Sequence, residues 1–235
     1  MLSWRLLRAL YAPDSYALVL LLILITYALS AGLTAAWASS LIVAVQIAAV
    51  WVTFRAARAR RTVQALANAA LCIAAVAAIA SLIVNYQFHT DAVVTWVSCL
   101  LYLAAPAAIV RHLLSRRLID SETVMGAIAA YLMAGMFFAF LYRAIGIVQP
   151  HPAFFGAQGA GTFSQDLFFS FTTLTTTGYG DLTPAGNPGQ SFAVLEMLIG
   201  QLFLITAVGK VVSTWRPGQG RSGLRDKKDS GDSDG

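Results

Sequence analysis

The sequence predicts an all-α membrane protein: a four-helix transmembrane unit, then a two-helix unit whose helices flank a polar segment. Three observations predict it. Only 11% of the 235 residues are charged, 58% are apolar and the mean hydropathy is +0.69, where a water-soluble domain carries about 25% charged residues. Six apolar runs approach the ~20 residues that a helix needs to cross a bilayer. They lie at about Ala17–Leu33, Trp37–Phe54, Ala65–Val84, Ala92–Val110, Val124–Ile147 and Gly189–Val212. Between the last two, residues 162–184 read TFSQDLFFSFTTLTTTGYGDLTP, too polar to span.

Residues 1–14 place Leu2, Trp4, Leu6 and Leu10 among Arg5 and Arg8, which suits a short helix in the headgroup layer. Pro13 ends it, and Asp14 or Ser15 can cap the first span. The same stretch imitates a secretory signal, with Ala36-Trp37-Ala38 as its cleavage site, but Pro13 and Asp14 ahead of the apolar run argue against cleavage.

Residues 15–118 hold spans one to four, in hairpins with short outer connections at 33–37 and 85–91. The fourth span carries no basic residue until Arg111 at its inner end. Sensing a transmembrane field requires charge within the membrane, where about 2.3 kcal/mol acts on each elementary charge per 100 mV. The unit therefore lacks an arginine-rich voltage sensor. Arg55, Arg58 and Arg61 recur at every third position, but at the inner end of the second span, where they read as a snorkelling anchor. Pro106 is a candidate kink. Cys72 and Cys99 fall inside apolar spans and read as buried thiols rather than a disulfide.

Fifteen of the sixteen Lys and Arg residues lie on one side if every span crosses; Arg143 alone lies near the other face. Both termini are thus expected in the cytoplasm, with residues 162–184 entering from outside. The formal net charge of +5 is a topology signal and gives no reason to expect a nucleic-acid partner. Arg143 is expected to snorkel to the outer headgroups. Residues 149–161 read as an outer-rim loop by their Pro and Gly content, with His151 exposed on it.

The fifth span opens a unit over 119–215. After it, Thr162-Phe163-Ser164-Gln165 has the form of a capping box. Asp166 in the first turn suits the positive end of the helix dipole, and the negative end, past Leu174, aims at the membrane centre. There Thr176-Thr177-Gly178-Tyr179-Gly180-Asp181 sets two glycines around an aromatic. Gly178 and Gly180 can take positive φ at little steric cost, so successive carbonyls can point one way. Such a row can replace the water around a monovalent cation, and the Thr176 hydroxyl can add a further oxygen. One strand cannot surround an ion, so several copies around an axis are needed.

Thr176 to Asp181 resembles the selectivity filter of tetrameric potassium channels of the six-transmembrane bacterial type, and the likeness extends over about residues 122–215. The resemblance implies a pore domain made of outer helix, re-entrant pore helix, filter and inner helix. It implies a homotetramer in the cell membrane, a bacterial inner membrane, that conducts K+ passively with membrane lipid around it and no cofactor. Carbonyls of Thr176, Thr177, Gly178 and Tyr179, with the Thr176 hydroxyl, would coordinate K+, Gly180 would complete the filter, and Asp181 would draw cations to the mouth. Thr177 stands where Val or Ile is commoner, its side chain turned from the ion. Tyr179 would brace against Phe168 and Phe169. Phe168 and Thr172 occupy positions where a relative holds the mouth aspartate with Trp and Glu, so Asp181 is expected to be less tied down.

In the last span Gly200 sits where inner helices of that family often carry a hinge; close helix packing explains a glycine equally well. Gly209 is a second gating candidate. Glu196 is the one acid deep in a span and a functional candidate for that reason; it can hydrogen-bond behind the filter, to Thr172 or Thr173, or face the cavity. Residues 216–235 read as a disordered cytoplasmic tail, charged and rich in Gly and Ser.

A potassium-selective channel is therefore the leading expectation, with a weakly selective cation channel as the near alternative. A secondary transporter would show repeated halves and more mid-membrane charge. No HExxH, GxSxG or His/Cys cluster suggests an enzyme.

Overall fold

The computed structural model describes residues 16–32, 45–46, 48–55, 87–115, 121–149 and 151–214. The N-terminal interfacial segment, the third span with Cys72, the connector at 116–120 and the C-terminal tail lie outside the described residues. The described part is all helical: α1 (Tyr16–Gly32), a helical piece over 48–55, α2 (Gln87–Ser115), α3 (Ser121–Val148), α4 (Phe163–Leu174) and α5 (Gly189–Thr214), with one short 3₁₀ turn at Gly156–Gln158.

Two of these helices are long and apolar enough to cross a membrane, over Thr123–Val148 and Gly189–Ala207, and they flank α4. The apolar parts of α1 and α2, Tyr16–Leu29 and Thr95–Arg111, are shorter. α2 begins at Gln87, so residues 87–91, expected in a connection, belong to the helix, which also continues through Pro106. A proline removes one backbone donor, and the helix runs on past it among packed neighbours, with Ala105 and Ile109 buried on either side.

α3 is the hub, because it buries two faces. Ala129, Met133, Met136 and Phe140, three to four residues apart and hence on one stripe, pack with Tyr16, Val19 and Ile23 of α1, Val50 and Phe54, and Cys99, Tyr102 and Ile109 of α2. Gly126 lets α3 approach closely: a Cβ there would lie 3.2 Å from both Leu113 and the Tyr16 ring. Thr53 donates its hydroxyl to the Ala49 carbonyl at 2.7 Å, which satisfies the polar atom inside the apolar piece.

The other stripe of α3, Tyr131, Gly135, Phe138 and Tyr142, faces α4 and α5. Phe138, Tyr142, Phe154, Phe155, Phe169 and Ala193 form a second buried cluster. Its rings meet at centroid distances such as 5.0 Å for Tyr142–Phe169 and 4.9 Å for Phe154–Phe155; such pairs add about 0.5–1.5 kcal/mol each beyond burial. The sequence places Phe154 and Phe155 in a Gly- and Pro-rich loop, yet both are buried and pin that loop against the helices.

Candidate functional site

The site grows from the two ends of α4. At its start the Thr162 amide donates to Gln165 Oε1 at 2.8 Å, and the Gln165 amide donates to Thr162 Oγ1 at 3.3 Å. The capping box read from the sequence is therefore formed. Asp166 follows in the first turn and is 1% exposed, with Arg143 Nη1 3.6 Å from its carboxylate. Arg143 also donates to the Gly161 carbonyl at 2.9 Å. The expected snorkelling is thus corrected: a buried acid and a loop carbonyl draw the guanidinium inward. Burial pushes the Asp166 carboxyl up to about 7, against the opposing pull of Arg143.

At the far end the chain turns back on the helix. The amides of Thr175 and Thr176 donate to the carbonyls of Phe171 and Thr173, and those of Thr177 and Gly178 both donate to the Thr172 carbonyl, at 2.8 and 3.1 Å. The helix's orphan carbonyls are thereby taken up by the amides of the strand that follows. Along this strand φ is positive at Thr176 (57°), Gly178 (54°) and Gly180 (83°), and at neither Thr177 nor Tyr179 between them. Alternating handedness turns successive amides to one side, and here that side is the end of α4, which leaves the carbonyls on the other. Among the described residues, none of the carbonyls of Thr176 to Tyr179 accepts a hydrogen bond.

The positive φ at Gly178 and Gly180 follows from the residue type; that at Thr176 does not. A residue with a Cβ in this region costs about 1–2 kcal/mol, and the amide bond to Thr173 holds it there at 2.9 Å. The Thr177 hydroxyl lies 2.8 Å from that of Thr175, which itself donates to the Phe171 carbonyl at 2.7 Å. Since Thr175 has one proton to give, Thr177 donates to it. The Thr177 side chain is therefore anchored behind the carbonyl row.

Phe168 stacks on Tyr179 at 5.9 Å and 11°. Phe169 does not join them: neighbours on a helix point about 100° apart, and Phe169 turns into the cluster with Tyr142, Phe154 and Phe155. Tyr179 is 71% exposed on the single chain, as are Thr175 to Asp181 generally. The Thr172 hydroxyl donates to the Phe169 carbonyl of its own helix at 3.0 Å. The backbone carbonyl of Asp181 receives Gln158 Nε2, a partner not foreseen from the sequence.

α5 passes behind this arrangement. Glu196 is fully buried and meets neither Thr172 nor Thr173, nor a cavity. Its carboxyl oxygens lie 2.5 Å from Tyr142 Oη and 2.5 Å from Ser170 Oγ: the hydrogen bond to α4 is made through Ser170 in place of Thr172 or Thr173, and the cavity-facing alternative is corrected. The helix faces decide this: Ser170 lies one turn before Leu174, on the side of α4 that α3 and α5 share. Gly200 lies under the end of α4, where an added Cβ would fall 2.2 Å from the Leu174 carbonyl oxygen. A close contact of this kind is what the packing reading of this glycine expects. Gly209 has nothing within 4 Å in its own chain. Tyr131 donates to the Leu174 carbonyl at 3.2 Å, so the last carbonyl of α4 is held from α3 and crowded from α5. Among the described residues no cluster of three or more His, Cys, Asp or Glu residues could hold a metal ion.

Residues 126–216, from α3 through α5, match a protein-family model described as ion channel. The matched segment holds the two helices long enough to cross a membrane and covers less than half of the chain. The inward rectifier potassium channel Kirbac3.1 of Paramagnetospirillum magnetotacticum is 34% identical over 91 residues, 38% of this chain and 29% of that one. The chain thus spans under a third of the length of that relative. No solved structure matches the chain.

Proposed function

We propose that the chain is a potassium-selective channel, four copies of which set their Thr176–Asp181 strands around one axis to form a passive pore. The observation that carries the reading is the row of unpaired carbonyls from Thr176 to Tyr179, turned to one side by alternating positive φ and backed by α4. In this reading carbonyls of Thr176, Thr177, Gly178 and Tyr179 replace the hydration shell of K+, and the Thr176 hydroxyl closes the inner end. The wall has no net charge, so an ion enters without being held. The C-terminal end of α4 adds its negative dipole potential beneath the row. Asp181 is exposed beside the mouth and raises the local cation concentration there.

Several features of a single chain suit assembly. The strand and Tyr179 lie exposed, and α5 leaves Leu195, Leu198, Leu202 and Ile205 uncovered on one stripe. The resemblance of the filter and the matched relative, an inward rectifier potassium channel, support K+ as the permeant ion, and the distribution of basic residues supports cytoplasmic termini. The fourth span offers no arginine within the membrane, so the four N-terminal helices do not act as a voltage sensor in this reading.

Reconstitution tests it: reversal potentials are measured in opposed K+ and Na+ gradients for the wild type and for Gly178→Ala. The wild type is expected to follow the K+ gradient. Gly178→Ala puts a Cβ at φ 54°, a strain of about 1–2 kcal/mol in each copy, and is expected to lose that selectivity. A wild-type potential that ignores the K+ gradient overturns potassium selectivity and leaves a weakly selective cation pore. Unchanged currents in Gly178→Ala overturn the filter assignment.

A further inference from the structure

Glu196 is used by nothing in the conduction reading, yet it sits at the junction of three helices. Its two oxygens meet hydroxyls from different elements, Tyr142 of α3 at Oε2 and Ser170 of α4 at Oε1, each at 2.5 Å. Ser170 Oγ also lies 2.7 Å from the Gly135 carbonyl oxygen of α3. The count of protons is then decisive. A serine hydroxyl carries one proton, and a carbonyl can only accept. Ser170 cannot donate to both Gly135 and an ionised Glu196. If it served the carboxylate, two bare oxygens would face each other at 2.7 Å, a separation that oxygens reach through a shared proton. If it served Gly135, its contact with Glu196 Oε1 would have no proton.

One arrangement satisfies every atom. Tyr142 O–H donates to Oε2, the protonated Oε1 donates to Ser170 Oγ, and the Ser170 hydroxyl donates to the Gly135 carbonyl. The surroundings agree with it: Glu196 is 0% exposed and, among the described residues, no Lys, Arg or His forms an ion pair with it. An ionised carboxylate in such a place is strongly disfavoured. Asp166, one turn before Ser170 on α4, is taken up by Arg143, and Tyr131 on α3 gives its proton to the Leu174 carbonyl.

We propose that Glu196 is a protonated positioning residue, whose carboxyl proton closes a hydrogen-bonded loop from α3 through α5 and α4 back to α3 and thereby fixes the base of the carbonyl row. The loop leaves α3 at Tyr142 and returns at Gly135, two turns away on the same stripe. On α4 it grips Ser170, four residues before Leu174, after which the strand begins. One turn along α5, Gly200 presses on Leu174 itself. A displacement of α5 is thus passed to the end of α4 by a proton-dependent tie and a steric stop. The consequence for conduction rests on the pore reading above; the proton does not.

Isotope-edited infrared spectroscopy of the full-length protein in lipid vesicles at neutral pH tests the proton directly. The expected result is a protonated-carboxyl C=O band that is absent in E196Q and moves to higher frequency in Y142F, where its hydrogen-bond donor is gone. A carboxylate band in its place overturns the proposal, as does a protonated band that Y142F leaves unmoved. Conduction tests the positioning role. Glutamine can donate to Ser170 and accept from Tyr142, whereas valine can do neither, so E196V currents are expected roughly tenfold or more below those of E196Q. Equal currents overturn that role. Should E196V fail to assemble, S170A is compared with E196Q in the same way. A protein that shows the band but passes no ions at all would keep the proton and overturn the pore reading instead.

Discussion

Replacing Gly200 with alanine separates packing from hinging in α5. The added Cβ would lie 2.2 Å from the Leu174 carbonyl oxygen and 3.1 Å from its carbon. Even a close C–H···O contact keeps about 3.3 Å between carbon and oxygen, so α5 or the end of α4 must give way by about 1 Å. The Leu174 carbonyl has little freedom to yield, since it accepts from Tyr131 at 3.2 Å and leads directly into the carbonyl row. Overpacking of this kind costs about 1–3 kcal/mol. Alanine recovers about 0.5–1 kcal/mol as the better helix former. The net expectation is a loss of about 1–2 kcal/mol per chain, or about 2–8 °C in Tm for a chain of this length. Gly209→Ala is the control: nothing lies within 4 Å of its Cβ in the chain, so Tm is expected to hold or rise slightly. Thermal unfolding of both variants in detergent gives the comparison, and K+ over Na+ permeability in vesicles shows whether the row is disturbed. A Gly200→Ala protein with an unchanged or raised Tm and intact selectivity would refute close packing against Leu174. If its open probability alone changed, the hinge reading would stand instead.

Asp166→Asn is expected to flatten the pH dependence of stability. The Asp166 carboxyl rises from 3.8 to about 7 on folding, chiefly by burial, so between those values the fold binds a proton that the unfolded chain lacks. Stability therefore falls as pH rises through that window, by at most about 1.4 kcal/mol per unit, and levels off above it. Equal Tm slopes for the wild type and Asp166→Asn between about pH 4 and 7 would remove Asp166 as the cause. Arg143→Gln takes away the cation 3.6 Å from that carboxyl; the levelling-off is expected at higher pH, read from the same titration of Tm. Phe169→Ala opens the buried aromatic cluster and is expected to cost about 3–5 kcal/mol, whereas Phe168→Ala, half-buried against Tyr179, should lower Tm less and disturb K+ over Na+ permeability more. Reversal of that order in unfolding and flux measurements would contradict the division of the two rings.

What the sequence made legible, it made legible through short-range rules. The capping box at Thr162 and Gln165, the extent of α4, the bounds of α3 and α5 and the positive φ of Gly178 and Gly180 each follow from residues within one or two turns of one another. The features it concealed join residues far apart, and they depend on how each helix is rotated. Glu196 meets partners 26 and 54 positions away; Arg143 reaches a carbonyl 18 positions on; Phe154 and Phe155 look like loop until a cluster forms above them. Thr176 is a further case, since its left-handed backbone is imposed by the Thr173 carbonyl and contradicted by its own type. A signal for the hidden part was present. Tyr131, Tyr142, Ser170 and Glu196 are polar groups in apolar helices, where every such group must find a partner within the protein. Tyr131 and Tyr142 lie eleven residues apart on α3, with Gly135 and Phe138 between them at helical spacing, which marks a second face on a helix that hydropathy alone paints as uniform. Matched with one another, these polar groups direct Glu196 toward that face of α3. The carbonyl row, plain as a motif, thus sits among contacts that no motif records: the Thr172 carbonyl that accepts its amides, Gly200 against Leu174, and a carboxyl group of α5 on Ser170.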